Sequence, residues 1–315
     1  MEVRGRPVHF GVQLQGQATG WEDYAAAVHT VEEMGFGSIW IFDHLLAPFD
    51  NAEDRPCFET LTTLGALALM TERVRIGALV NGVLYRDPAV LAKASAQVDE
   101  MSHGRLDFSL GAAWAEREFR AYGMPFPPLA ERYARLDEAL TIIKALWAQR
   151  RTTFHGRYYQ LDDAPCEPKP VQSPHPPITI GGSGGGSLRV AALHADRLNM
   201  QGTPEKCART AQRLRELCEE AGRDFNQIEL SHHPAIVVRA GHEQAYERAM
   251  ETARANSMNP DEVRDNWLIG TPAEVTDRVR QYLAVGVNHF VVGAGYPFDF
   301  ESLGLLQEAV LPALE

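Results

Sequence analysis

Short apolar runs recur along the chain at Val8–Leu14, Ser38–Phe42, Val74–Val80, Leu106–Leu110, Ile178–Ile180, Arg197–Met200, Ile228–Val238 and His289–Val292. Runs of this length next to turn residues predict buried strands. Between them lie amphipathic stretches such as Leu129, Tyr133, Leu136, Leu140, Ile143 and Trp147, whose spacing by three and four matches one helix face. Thr271-Pro272-Ala273-Glu274 adds a helix start, with an N-cap, a proline at the first helical position and a carboxylate three residues after the cap. Strand and helix therefore alternate, which means parallel strands joined by helical crossovers. Eight such units over 315 residues predict an α/β fold, a (β/α)8 barrel forming one domain over residues 1–315. The proline-rich stretch Thr152–Pro177 breaks the rhythm. It predicts an insertion across the C-terminal mouth of the barrel, with Tyr158 and Tyr159 in a strand.

Composition narrows the partners. With 30 Lys and Arg against 42 Asp and Glu, the formal charge is -12, the wrong sign for neutralising many phosphates. Nucleic acid and anionic membrane are therefore not expected partners, and a small-molecule substrate is. Cys57, Cys166, Cys207 and Cys218 are far apart and lack the paired spacing of a zinc site or redox dithiol. The N-terminus has no export signal and no run approaches membrane-spanning length, so the expectation is a cytoplasmic protein with reduced thiols.

In a barrel of this kind ligands bind where strands end, so the residues after each apolar run carry the chemistry. Asp43-His44 follows the second run; an imidazole there suits proton transfer, and a capped strand end explains the pair equally well. The third run closes in Ile76-Gly77-Ala78-Leu79-Val80-Asn81-Gly82, where Gly and Ala let backbone approach a flat ligand, or where Gly77 and Gly82 merely flank a tight loop. The most specific signal is Gly181-Gly182-Ser183-Gly184-Gly185-Gly186-Ser187 between a strand and a helix. Backbone N–H groups at a helix N-terminus form a phosphate site, although this run is neither the nucleotide P-loop nor the dinucleotide glycine pattern. His232 and His233 are adjacent in a strand and point to opposite faces, so no metal site is expected. Glu116, Arg117 and Glu118 read as a helix surface as readily as catalytic groups.

Several segments in order resemble the luciferase-like monooxygenases and reductases, and within them the branch using a 5-deazaflavin, coenzyme F420. They are Trp40-Ile41-Phe42-Asp43-His44, Ile76 to Pro88 with Tyr85-Arg86-Asp87-Pro88, Trp114 to Gly123, Pro168 to Gln172, Pro176 to Gly182, and Gly270-Thr271-Pro272. The resemblance implies a barrel with the cofactor ring in its mouth and a non-prolyl cis peptide near Ala78-Leu79. It implies that Asp43 contacts the ring and that His44 is the acid/base or positioning residue. It places Asn81, Ala112 and Ala113 beside the ring or its polyol chain, Gly181, Gly182, Ser183, Gly184 and Gly185 around the phosphate, and Asn199, Met200 and Gln201 at the ring pocket.

The implied activity is hydride transfer to or from a small organic substrate: reduction of an activated C=C or C=N bond, or oxidation of an alcohol. The alternatives are a monooxygenase using reduced FMN and a flavin-binding subunit without turnover. A homodimer is implied as well. Two positions depart from the family pattern: Ala113 stands where a glycine is usual, and Ala115 where many deazaflavin relatives have Asn. Trp114 stands nearest to where the sugar-phosphate dehydrogenases place a catalytic Glu, so a sugar phosphate is not the expected substrate.

Overall fold

A computed structural model describes residues 1–48 and 54–314. Eight parallel strands, β1 His9–Leu14, β2 Ser38–Ile41, β3 Arg75–Ala78, β4 Leu106–Leu110, β5 Ile178–Gly181, β6 Arg197–Met200, β7 Glu229–His232 and β8 His289–Ala294, close into a barrel in chain order. Their helices are α1 Trp21–Glu33, α2 Thr60–Met70, α3 Pro88–Met101, α4 Leu129–Ala148, α5 Gly185–His194, α6 Pro204–Glu220, α7 Pro272–Ala284 and α8 Phe300–Leu305. The expected (β/α)8 barrel is present. Asp87, Thr203 and Thr271 cap α3, α6 and α7 ahead of a proline, and Thr271 and Glu274 form the reciprocal capping box that their spacing predicts.

One run divides. Ile228–Val238 ends its barrel strand at His232, and Ile236–Val238 pairs instead with Leu268–Gly270. Pro234 lies between the two pieces and has no N–H for a ladder. The excursion carries helices His242–Ala255 and Pro260–Asn266 and a small apolar cluster of its own, with Val237, Ala245, Ala249, Ala253 and Val263. Because it leaves β7 and returns through α7, this segment is the insertion at the C-terminal mouth.

The stretch 152–177 is a correction. It follows α4 and precedes β5, so it joins the barrel at the opposite, N-terminal end. Gln172 there bonds Asp99 at the end of α3, the Leu106 carbonyl at the start of β4, and Arg75 at the start of β3. Its hairpin, Thr152–His155 with Gln160–Ala164, packs on the flank of α4, where Glu138 accepts the amides of Arg157, Tyr158 and Tyr159. Those amides are in the turn, so Tyr158 and Tyr159 are not strand residues. Proline richness marks an irregular path without saying which end of the barrel it covers.

The barrel interior is polar and bulky. Buried Asp107, Arg197 and Glu229 form a chain of ion pairs that reaches partly exposed Arg75, and Trp40 lies against Arg197 with its indole N–H donated to Ser38. A Cβ on Gly77 would come within 2.7 Å of the Trp40 ring and 2.6 Å of the Asp107 carbonyl. Gly77 thus makes room for the indole within the barrel rather than for a ligand. Among the described residues no helix is long and apolar enough to cross a membrane.

Candidate active site

A cavity of about 1070 Å³ opens at the C-terminal ends of the strands. Gln13, Phe42, His44, Leu79 and Trp114 line one side, Gln201 and His233 another, and Arg248 and Trp267 of the mouth insertion reach its outer wall.

His44 sits where β2 hands over to its loop and is buried. Its Nδ1 lies 2.6 Å from Oε1 of Glu118, itself buried on the short helix Glu116–Ala121. The other oxygen of Glu118 accepts the Leu45 amide at 2.9 Å and the Tyr85 hydroxyl at 2.7 Å. Burial pushes the Glu118 carboxyl upward, and the three hydrogen bonds outweigh it, leaving the group below the usual carboxylate value. Phe42 and Trp114 pack edge-on against the imidazole, both with ring centres 5.2 Å away. With Nδ1 engaged, Nε2 is the nitrogen available to a molecule in the cavity.

Asp43 behaves differently from the expectation. Its carboxylate takes a bidentate grip from Arg86 and the Gly82 amide at 2.9 Å, and the side chain does not line the cavity. Glu59, which caps α2, holds the other side of the Arg86 guanidinium. Asp43 therefore fixes the turn after β3. The carboxylate has no free oxygen to spend on a ring.

The turn after β3 contains the non-prolyl cis peptide, between Leu79 and Val80, one bond beyond Ala78-Leu79. Gln13 donates to the Leu79 carbonyl at 3.1 Å. Val80 points between the ends of β4 and β5: a Cβ on Gly111 or Gly181 would come within 2.7 or 2.9 Å of its side chain. The amide of Asn81 bonds Ser109, but its buried Oδ1 has no partner. Ala113 has φ +59°, in the left-handed region that favours glycine, which accounts for the glycine usual at this position. Arg132 holds the carbonyls of Ala112 and Ala113.

The glycine-rich loop ends at Gly184, which caps α5 with no side-chain hydrogen bond. Not every glycine is there for a ligand. A Cβ on Gly186 would overlap the Tyr133 ring at 2.1 Å, and one on Gly184 would lie 3.1 Å from the Tyr133 hydroxyl, whereas Gly185 faces open space. The α5 amides thus lack a side-chain acceptor and an anion can reach them. Together with the orphaned Asn81 oxygen and the cavity, this donor set fits a phosphate-bearing flavin-type cofactor.

The luciferase-like monooxygenase pattern matches residues 7–289. The chain belongs to the luciferase-like monooxygenase family. It is 30% identical over 314 residues to an F420-dependent glucose-6-phosphate dehydrogenase of Intrasporangium calvum, covering 91% of this chain and 93% of that protein. It is 27% identical over 272 residues to an FMNH2-dependent dimethylsulfone monooxygenase of Pseudomonas putida, covering 75% and 73% respectively. A solved F420-dependent secondary alcohol dehydrogenase, in complex with an F420-acetone adduct, superimposes with a TM-score of 0.86 at 22% identity, covering 98% of this chain and 99% of that one. At that identity the likeness is one of fold.

Within this luciferase-like barrel the expected site residues divide. His44, Leu79 and Gln201 line the cavity; Asp43, Ala78, Asn81, Ala112, Ala113, Gly181 to Gly185 and Met200 do not. Gln201 is 3.2 Å from Nδ1 of His233. His232 also borders the cavity and stacks on Tyr282 of α7, ring centres 4.2 Å apart. Sequence reasoning passed over Arg86 and Tyr85, which stood in a quoted motif, and took Glu118 for a helix surface. Nothing local to Glu118 marks it, because its partner His44 lies 74 residues away.

Proposed function

We propose that this chain is a coenzyme F420-dependent oxidoreductase acting on a small organic substrate, an alcohol or an activated C=C or C=N bond, with His44 exchanging the accompanying proton. The observation that carries it is His44 on the cavity wall, bonded from behind by Glu118, in a chain whose near-full-length relatives bear the name F420-dependent glucose-6-phosphate dehydrogenase.

When bound, a deazaflavin supplies a ring carbon that accepts or donates hydride. The chain's part is to bind and orient. The open α5 N-terminus would hold the phosphate, with Gly181, Gly182, Ser183, Gly184 and Gly185 forming its cradle. The turn around Leu79, fixed by Asp43 and Arg86, and the neighbouring Ala78, Asn81, Ala112, Ala113 and Met200 would shape the ring's seat. Phe42 and Trp114 restrict the water around His44, and the Nε2 of His44 would take a proton from an alcohol or return one to the reduced product.

By the resemblance, Trp114 stands nearest to the sugar-phosphate dehydrogenases' acid, so glucose 6-phosphate, the substrate in the relatives' names, is not the proposed substrate. The dimethylsulfone monooxygenase relative favours reduced FMN as the second reading. The reading also includes one functional unit over residues 1–315, working as a homodimer in the cytoplasm.

Titration of the purified protein with oxidised coenzyme F420 and, separately, with FMN, followed by tryptophan quenching, tests this. Micromolar binding of the deazaflavin alone supports the proposal. Preference for FMN transfers it to the monooxygenase reading, and binding of neither overturns both. Turnover with F420 and glucose 6-phosphate would overturn the exclusion drawn from Trp114.

A further inference from the structure

We propose that Glu118 is the positioning residue for His44: its carboxylate fixes the imidazole tautomer, so that an unprotonated Nε2 faces the cavity and the imidazolium formed on proton uptake is held in place. The substrate's part in this rests on the function proposed above. The tautomer itself does not.

The argument is one of donors and acceptors. Both oxygens of Glu118 are occupied, Oε1 by Nδ1 of His44 at 2.6 Å and Oε2 by the Leu45 amide and the Tyr85 hydroxyl. An amide N–H only donates, and a tyrosine hydroxyl bonded to a carboxylate donates its proton. The carboxylate is therefore an acceptor on every side, and its partner nitrogen has to carry the hydrogen. A neutral imidazole with a proton on Nδ1 has its lone pair on Nε2. A proton leaving a substrate hydroxyl passes to that lone pair, and the resulting cation lies against a buried anion; the reverse transfer returns the proton. This is the division of labour in which a base is oriented by a third group.

The surroundings leave Glu118 as the anion that acts on the ring. Asp43 is neutralised by Arg86. Cys57 donates to the His44 carbonyl, and burial pushes its thiol up to about 12, so it stays uncharged. Burial and the Glu118 bond also push the Tyr85 hydroxyl up, so it remains a donor. Tyr122 bonds the Leu45 carbonyl and Arg117 the Ala47 carbonyl, while Arg55 stands on the cavity wall. The backbone of residues 44–47 is thus pinned to the short helix that carries Glu118.

Nitrogen-15 NMR of histidine-labelled protein, with His44→Gln to assign the signal, reads the tautomer without a substrate. The expected result is the Nδ1–H tautomer for His44 in the wild type, and in Glu118→Gln a smaller share of it, because the amide can turn either its oxygen or its NH2 toward Nδ1. A wild-type His44 in the Nε2–H tautomer overturns the proposal even if Glu118→Gln does not fold, and so does an unchanged tautomer ratio in a folded Glu118→Gln. Cofactor titrations on the same samples separate the two ideas. Failure to bind F420 or FMN sinks the proposed function and leaves the tautomer readable, whereas a wrong tautomer in a protein that binds F420 sinks only the positioning role.

Discussion

The guanidinium of Arg86 closes on the Asp43 carboxylate with contacts of 2.8 and 3.0 Å, and the pair is almost wholly withdrawn from solvent. Removing one partner of a buried pair leaves an uncompensated charge, whereas removing both does not. Arg86→Met is therefore expected to lower the unfolding free energy by about 3–5 kcal/mol. The double variant with Asp43→Asn should recover part of that loss. Urea denaturation of the two single variants and the double one checks this; simple additivity would mean the pair is not coupled.

Trp40 makes a second prediction. Gly77→Ala puts a methyl into the indole and against the backbone carbonyl of Asp107, so relief by side-chain motion alone is blocked. Overpacking of this kind costs about 1–3 kcal/mol. Adding Trp40→Leu should restore less than the full loss, because the contact with the Asp107 carbonyl remains. Thermal unfolding of Gly77→Ala and of the double variant gives the comparison, and an unaltered midpoint in Gly77→Ala would contradict the packing described.

These two contacts show what the chain discloses by its pattern and what it does not. The strand β6, Arg197–Met200, and the capping box at Thr271 and Glu274 were legible because periodicity and capping act within a few residues. The reason for Gly77 was not, because its neighbour Trp40 arrives from the adjacent strand. Glu118 was hidden in the same way: 74 residues separate it from His44, and only barrel closure makes them partners. Asp43 was recognised as important and given the wrong neighbour, since a carboxylate in a sequence does not disclose which cation takes it. The end of the barrel reached by residues 152–177 follows from counting elements, and the split of the run at Pro234 displaced the mouth insertion from where it was expected.

The phosphate role of the α5 N-terminus predicts a change with two opposite effects. Gly185 faces open space at the first helical position, so Gly185→Asp meets no clash. A carboxylate there complements the helix dipole, worth about 0.3–1 kcal/mol, and replacing glycine restricts the unfolded chain. Stability should rise slightly. The same carboxylate competes with a phosphate for the α5 amides, so F420 affinity should fall by about tenfold or more, the equivalent of about 1.4 kcal/mol. Gly185→Ala should leave binding nearly unchanged. Loss of affinity in both variants, or in neither, would remove the loop from the cofactor site.

His232 sets a pH dependence of stability whose sign follows from its burial. Burial lowers its pKa from 6.5 to about 3, despite the bond between Nδ1 and the Met200 carbonyl. As pH falls below 6.5 the unfolded chain takes up a proton that the folded chain refuses, so stability is present above 6.5 and is lost progressively until about pH 3. The slope for one such group approaches about 1.4 kcal/mol per pH unit. His289 is shifted in the same direction by burial and by Arg197, so the wild type should weaken steeply in mild acid. His232→Phe keeps a ring against Tyr282, whose centre is 4.2 Å from the imidazole, and removes the titrating group. Unfolding free energies from urea titrations between about pH 6 and 4 should therefore fall less steeply in the variant, by up to about 1.4 kcal/mol per unit. Parallel slopes would mean that His232 takes up its proton in the folded protein as readily as in the unfolded chain, and the closed stack on Tyr282 would have to open to let it do so.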